Sequence, residues 1–483
     1  MKDRTIGGFE TLKNTKKCDN SRQLHIEGYL QKNRVELEEY VGAPSISLTL
    51  EKQQNAENKY TNDLLERIID RNNLNQAFKR VKANKGSHGI DGMKVDELLQ
   101  YLKENGDSLR QSLLEGSYKP NPVRRVEIPK SDGKKRPLGI PTAVDRVIQQ
   151  AIAQVLNPIF EEKFSDCSYG FRPNRNAHQA ILKCKEYMDK GYRWAIDIDL
   201  EKYFDTVNHD KLIGLVYKEV KDIRVISLIR KYLHAGVMEK DVFHTSERGV
   251  PQGGNLSPLL SNIMLNELDK ELEKRELCFC RYADDCNIYV KTRKAANRVM
   301  KSITRFIEED LKLKVNRDKS KVDRPWKLKY LGFTFYPKKG EMGISVHQNS
   351  VKKLKIKLKE ITGRSNAMSI EIRATKLRKI IVGWINYFKL ADMRGILNTL
   401  DKWLRRRIRL CYWKQWKKIK TKHDNLKRLG VDEYKAWEYA NTRKGYWRIS
   451  NSPILASTLS NKYLKEQGFV TLTEKYLQLG NSY

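Results

Sequence analysis

The sequence predicts an α+β fold spread over more than one domain, and three observations carry that prediction. Phe279-Cys280-Arg281-Tyr282-Ala283-Asp284-Asp285-Cys286-Asn287-Ile288-Tyr289-Val290 sets two adjacent carboxylates between short runs rich in apolar and aromatic residues, the pattern of a β-hairpin with an acidic connection. Trp194-Ala195-Ile196-Asp197-Ile198-Asp199-Leu200 alternates acidic and apolar residues with a period of two, so Asp197 and Asp199 share one face of a strand. Beyond residue 351 the apolar residues recur every third or fourth position, as helices require. The chain has 483 residues, more than one hydrophobic core serves, so about two to four domains are expected.

Charge narrows the partner. Lys and Arg number 94 against 59 Asp and Glu, for a net charge of +35, which points to a polyanion. No run approaches the ~18 consecutive apolar residues of a membrane span, and Met1-Lys2-Asp3-Arg4 leads into no apolar signal-peptide core. Nucleic acid is therefore expected as the partner, no membrane is, and the expected compartment is the cytoplasm. The seven cysteines, at 18, 167, 184, 278, 280, 286 and 411, form no Cys-x-x-Cys pair, and reduced thiols follow.

In chain order, residues 1 to about 60 carry 10 basic and 9 acidic residues without a helical or strand period and read as a disordered leader. A helical face starts near Leu64 and continues through Leu74, Phe78 and Val81; Lys82 to Gly92 is a basic, Gly-rich loop without the ending of a P-loop, and Leu98 to Leu114 is helical. Arg124 to Lys130, the turn Ser131-Asp132-Gly133-Lys134 and Lys135 to Ile140 predict a basic hairpin with Lys130 and Arg136 on either side of its turn. An amphipathic helix over Val144 to Leu156 follows. Glu201 to His209 forms an aromatic-rich turn into a helix after the acidic strand. Arg248 to Pro258 is a loop punctuated by Gly and Pro that enters a long apolar helix, Leu259 to Leu272, with Ser257-Pro258 as its cap and first turn. After the acidic hairpin a helix is expected over Ala295 to Leu311, and strands over Lys312 to Asn316 and Leu328 to Phe335. From 351 to 430 the count is 24 basic to 5 acidic residues, in three helices. Arg405, Arg406, Arg407 and Arg409 lead into Tyr412, Trp413, Lys414, Trp416, Lys417 and Lys418, and Arg443, Lys444 and Arg448 cluster around Trp447. Cations interleaved with rings suit a polynucleotide, phosphates taking the charge and bases or sugars the rings.

Joining nucleotides requires in-line attack of a 3′ hydroxyl on an α-phosphate, and two divalent ions held by acids on rigid strand ends stabilise the attacking and leaving oxygens. Asp199 at a strand end and Asp284 in a hairpin turn supply such a clamp if their strands are neighbours, with Asp285 a third acid beside them.

Asp199-Leu200-Glu201-Lys202-Tyr203-Phe204-Asp205, Pro251-Gln252-Gly253-Gly254-Asn255-Leu256-Ser257-Pro258, Tyr282-Ala283-Asp284-Asp285, Leu313-Lys314-Val315-Asn316 and Leu331-Gly332-Phe333 stand in the order of the blocks of group II intron reverse transcriptases, which the chain closely resembles. The likeness runs upstream through Tyr169-Gly170-Phe171-Arg172-Pro173 and Arg146 to Gln150, and downstream to Gly383-Trp384-Ile385-Asn386-Tyr387-Phe388, similar to the maturase "X" block. The compact bacterial subclass IIC is the nearest in pattern, which implies a bacterial setting.

That resemblance implies a right-hand polymerase: an N-terminal extension at 1–63, fingers at 64–190, a palm with an antiparallel sheet at 191–345, an α-helical thumb at 346–420 and a small basic DNA-binding region at 421–483. It implies that Asp199, Asp284 and Asp285 are the catalytic acids and hold two Mg²⁺ ions, with Mn²⁺ as substitute. Lys130 and Arg136 would bind the incoming triphosphate. Tyr203 or Phe204 would exclude a ribose 2′ hydroxyl, and Gln252 would contact the nucleotide or the template beside it. The implied partners are group II intron RNA, an RNA template with a DNA primer, target DNA and dNTPs, and the implied tasks are reverse transcription and assistance to splicing and retrohoming. The paired cysteines and histidines of the endonuclease found in many relatives have no counterpart after Trp447, so second-strand cleavage is not expected. The alternatives are a domesticated relative with the same chemistry and a splicing factor that binds RNA only; the presence of all three acids weighs against the second.

Overall fold

The computed structural model describes residues 63–129, 135–239 and 242–480, which belong to one compact unit spanning Lys32–Tyr483. Most of the leader at 1–63, Lys130 and the turn 131–134 lie outside the described residues. The strands are β1 (Val123–Pro129), β2 (Lys135–Ile140), β3 (Trp194–Ile198), β4 (Val237–Glu239), β5 (Val242–His244), β6 (Cys278–Tyr282), β7 (Asp285–Val290), β8 (Lys321–Asp323), β9 (Phe333–Lys338) and β10 (Glu341–Val346). They form sheets of order β2-β1-β4-β5, β6-β7-β3-β8 and β10-β9.

The second sheet organises the site. β6 and β7 pair antiparallel with Tyr282 opposite Asp285, so the connection is the two residues Ala283 and Asp284. Ala283 takes the left-handed backbone region at φ 56°, which a two-residue hairpin turn needs and which a side chain makes costly. β3 lies on the other edge of β7, with Ile198 opposite Cys286, and β8 covers its far side. From Ile196 on the alternation seen in the sequence holds, with Ile196 and Ile198 buried and Asp197 half-exposed, while Ala195 is buried out of step with it.

Beneath this sheet runs the helix Ser257–Lys274, buried on most sides by Leu259, Leu260, Ile263, Met264, Leu265, Leu268 and Leu272. It belongs to one continuous core that extends from Leu64 to Val315. The helix Ala143–Glu161 is almost as buried and is capped by Thr142, whose side chain accepts from the Asp145 amide. Its carboxylate is needed inside because it accepts from Tyr118 Oη at 2.6 Å and from Thr142 Oγ1 at 2.6 Å.

The basic region is helical over Gln348–Ile361, Ile370–Phe388 and Arg394–Gln415. In the middle helix the β-branched run Ile380-Ile381-Val382 disfavours helix by up to ~0.7 kcal/mol per residue. Burying Leu377, Ile381, Ile385 and Phe388 is worth ~1.5–3 kcal/mol each, so packing decides. This helix seats on the preceding part of the chain: Phe388 and Phe333 rings lie 4.9 Å apart, Tyr387 Oη donates to Leu331 O at 2.8 Å, and His178 Nε2 donates to Tyr387 O at 2.6 Å.

Three local expectations are corrected. The helix expected to run to Leu311 is α-helical only over Arg293–Arg305 and widens to a π-turn at Phe306–Asp310. Lys312 to Asn316 is not a strand; it makes one bridge, Leu200 to Val315, closed by Asn316 N to Asp199 O and Glu201 N to Lys314 O, while the Leu313 amide is turned back to Ile307 O. Ser257 is the first helical residue, not the cap, and its Oγ donates back to Pro251 O at 2.6 Å, closing the loop on itself.

Candidate active site

Asp199 leaves β3 at the point where the strand stops pairing. One step beyond the Ile198–Cys286 pair it stands beside Asp285, the first residue of β7, while Asp284 projects from the adjoining turn. Its backbone is held on both sides: Asp199 N donates to Ser320 Oγ at 3.1 Å, and its carbonyl accepts from Asn316 N at 2.8 Å. The carboxylate is about one-third exposed, and Lys319 Nζ lies 3.4 Å from it.

The electrostatics are those of a cluster of like charges. Burial raises the Asp284 carboxyl and so does the charge of Asp199, while Arg136 and Arg281 act the other way. Asp285 is open to solvent at the rim yet has protein on most sides; burial, then Asp284, Asp197 and Asp199, push it up to about 7. Asp197, one β-repeat behind Asp199, is pushed up to about 6 by burial and by Asp199, against Lys321 and Lys329. Four carboxylates are thus brought to one end of two paired strands, where the charge of Asp199 opposes the ionisation of Asp197, Asp284 and Asp285.

Among the described residues no three His, Cys, Asp or Glu side chains gather closely enough to hold a metal ion by themselves. Mg²⁺ does not need such a cage, because it is held by one or two carboxylates and completed by water and substrate phosphates. The negative charges that raise the Asp284 and Asp285 carboxyls are what a divalent cation would relieve, so the donor set fits.

Around this edge the aromatic pair separates into two roles. Tyr203 is buried and donates from Oη to Ser261 O at 3.1 Å; Phe204 is half-exposed and meets it edge-on at 5.2 Å. The loop Gly249–Leu256 laces this turn to the first sheet: Val250 N donates to Phe204 O at 2.6 Å, and Gly139 N to Gln252 O at 2.8 Å. Gly253, at φ 121°, presses its backbone on Gly139, and a Cβ there would stand 2.6 Å from Gly139 O. Arg136 is exposed on β2 and near enough to act on the Asp284 charge. Gln252 is half-buried at the same junction.

The basic residues divide. Arg407 donates to Thr362 Oγ1, Thr362 O and Lys359 O; Arg406 donates to Trp447 O with its guanidinium 3.9 Å from the Trp447 ring; Arg409 donates to Leu459 O. Arg405 and Lys402 line an open cleft with Asn461 and Thr473, and Lys414 Nζ lies 5.2 Å from the Tyr446 ring. Lys417, Lys418, Arg443, Lys444 and Arg448 are exposed. Nothing in the sequence singles out Lys319 and Ser320, which reach Asp199 from 120 residues away only through the β3–β8 pairing. For Asp197 the period-two pattern is the available signal.

Comparison with known proteins follows the same division of the chain. The family model for reverse transcriptase (RNA-dependent DNA polymerase) matches residues 128–335, and that for the group II intron maturase-specific domain matches 351–430. Protein YkfC of Escherichia coli (strain K12) is 39% identical over 289 residues, covering 52% of this chain and 76% of YkfC. The group II intron-encoded protein LtrA of Lactococcus lactis subsp. cremoris is 42% identical over 206 residues, covering 42% of this chain and 34% of LtrA. The putative COX1/OXI3 intron 2 protein of Saccharomyces cerevisiae is 32% identical over 279 residues, covering 56% of this chain and 31% of that protein. The chain thus spans most of YkfC and about a third of the two intron proteins. Among the described residues no helix is long and apolar enough to cross a membrane.

Proposed function

The chain belongs to the family of group II intron reverse transcriptases and maturases, whose activity is that of an RNA-directed DNA polymerase, and from that premise we propose how its residues divide the work. Asp199 and Asp284 hold two Mg²⁺ ions, and Asp285 supports them. When bound, the ions supply the charge that stabilises the attacking and leaving oxygens. The chain's own part is to fix the two carboxylates on one sheet edge, with Asp199 held at its backbone by Ser320 and Asn316.

Arg136, together with Lys130 on the other side of the turn in sequence, takes the triphosphate of the incoming dNTP. Phe204 lies under the sugar, since Tyr203 is committed to the core, and Gln252 borders the nucleotide where the loop meets β2. In this reading 64–190 are fingers, 191–345 palm, 346–420 thumb and 421–483 a DNA-binding region, with 1–63 an extension. The template is RNA paired to a DNA primer; the basic helices and tail grip intron RNA for splicing and target DNA for retrohoming.

The observation that carries this reading is the convergence of Asp199, Asp284 and Asp285, from two strands paired in one sheet, into a cluster that opposes its own ionisation. The test is incorporation of dNTPs on a primed RNA template by the parent and by Asp284→Ala. Incorporation lost by about 10³-fold or more is expected; normal synthesis by the variant removes Asp284 from the chemistry.

A further inference from the structure

Arg281, the residue before the Tyr-Ala-Asp-Asp turn, is fully buried, as are Asp269 and Asn262 on the helix Ser257–Lys274 beneath it. Asp269 takes the guanidinium bidentately, accepting from Nε at 2.7 Å and from Nη2 at 2.5 Å. A buried ion pair of this kind is weak evidence for stability, because removing two charges from water costs about as much as their attraction returns. What sets this pair apart is the remaining nitrogen. Arg281 Nη1 donates to Asn262 Oδ1 at 3.0 Å and to Ala283 O at 3.0 Å. Ala283 is the left-handed residue of the turn, and its carbonyl belongs to the peptide unit that carries Asp284.

The turn is also closed from the opposite side. Gly170 lies so near it that a Cβ there would stand 2.3 Å from Ala283 N and 2.9 Å from Tyr282 C. Gly170 is itself anchored to the same helix, since Asn262 Nδ2 donates to Gly170 O at 2.9 Å. The segment leading to it runs beside β6, with Arg281 N donating to Cys167 O and Tyr169 N donating to Arg281 O, both at 2.9 Å. One helix therefore reaches the catalytic turn by two routes that meet at Asn262. The direction of the Ala283–Asp284 peptide is fixed by a guanidinium that is itself fixed at three of its nitrogens.

We propose that Arg281 is a positioning residue for polymerisation: held by Asp269 and Asn262, it clamps the Ala283 carbonyl against the Gly170 backbone and so aims the Asp284 carboxylate. The inference rests on the assignment of Asp284 to the polymerase reaction, and its test reads both. Arg281→Lys keeps a cation but cannot span Asp269 and Ala283 together; Gly170→Ala leaves every side-chain hydrogen bond in place and pushes on the turn. Both are compared with the parent, as the full chain, for dNTP kinetics on a primed RNA template, for primer–template affinity and for Mn²⁺ affinity by electron paramagnetic resonance. In each variant kcat is expected to fall about a hundredfold, as for a reacting group displaced by about 1 Å. KM for dNTP and duplex affinity stay within about twofold, while Mn²⁺ binds about tenfold more weakly. Should Arg281→Lys fail to fold, Gly170→Ala carries the test. Parent-like kcat and Mn²⁺ affinity in either folded variant would overturn the clamp. So would a kcat loss that only matches the fraction of protein still binding duplex, with Mn²⁺ affinity unchanged. A parent that copies no template while Mn²⁺ affinity still falls in the variants would retain the clamp and overturn the polymerase assignment.

Discussion

At the scale of single residues the candidate acids are legible in the sequence, whereas their meeting depends on the pairing of β3 with β7. Asp284 and Asp285 sit between strand-forming runs, and Asp199 ends an alternating strand. The sequence leaves open the choice between Tyr203 and Phe204, and burial favours Phe204 in the reading proposed above: Tyr203 is buried with its Oη spent on Ser261 O, while Phe204 is only partly buried. Phe204→Ala is therefore expected to relax discrimination against ribonucleotides by about tenfold or more, with Tyr203→Phe nearly neutral, in competitive incorporation of dNTP and rNTP. Relaxation by the tyrosine variant alone would reverse the assignment. The cluster also predicts a pH dependence. Asp285 titrates at about 7 in the folded chain, above the ~4 of an unfolded Asp. The folded state thus holds the extra proton between those values, and the stability this gives is full below ~4 and lost as pH rises through 7. Asp197, at about 6, has the same sign. Without divalent ions, Asp285→Asn should melt above the parent at pH 8, the gap closing toward pH 4 and shrinking when Mg²⁺ is added. A gap independent of pH would show that the repulsion is not there.

At the scale of elements, the three basic helices were legible from their stripes, whereas the direction of each arginine was not. A run such as Arg405-Arg406-Arg407-Ile408-Arg409 winds around a helix, and successive side chains face different neighbours. Arg407 faces the end of the helix Gln348–Ile361 and satisfies the carbonyls of Lys359 and Thr362, helix-end acceptors that would otherwise be left without an intrahelical donor. Arg407→Gln should accordingly cost about 1–3 kcal/mol, seen as a lower melting temperature, and leave the salt dependence of RNA binding nearly unchanged. Lys417, Lys418, Arg443, Lys444 and Arg448 are exposed and behave oppositely. Neutralising them should keep the melting temperature and flatten the plot of log affinity against log salt by about one unit per lost phosphate contact. If the slope follows Arg407 instead, that side chain leaves its carbonyls when RNA arrives. The strand expected at 312–316, which does not form, and the π-turn before it belong to this scale too. Apolar alternation there marks burial of Leu313 and Val315, but the Leu313 amide is claimed by Ile307 O at the helix end, and the pairing stays a single bridge between Val315 and Leu200.

Across the whole molecule, chemistry and charge occupy different stretches of chain. The acids are gathered by pairings among β3, β6, β7 and β8, elements between residues 194 and 323. The excess of cations is concentrated in the helices that follow, with 24 basic and 5 acidic residues over 351–430. Those helices seat on the sheet region through Phe333, Tyr387 and Phe388, a contact of rings and backbone that uses none of the carboxylates proposed to be catalytic. Polyanion binding draws on summed charge and tolerates the loss of one acid, while phosphoryl chemistry depends on atoms placed within an ångström. Asp284→Ala should therefore separate the two tasks. Its affinity for structured intron RNA, measured by filter binding from 50 to 200 mM salt, should match the parent within about twofold, with the same salt slope. Its ability to promote splicing of that RNA should persist although dNTP incorporation is gone. A parallel loss of splicing and synthesis would mean that the acidic edge itself contacts the intron, and the division between sheet and helices would have to be withdrawn.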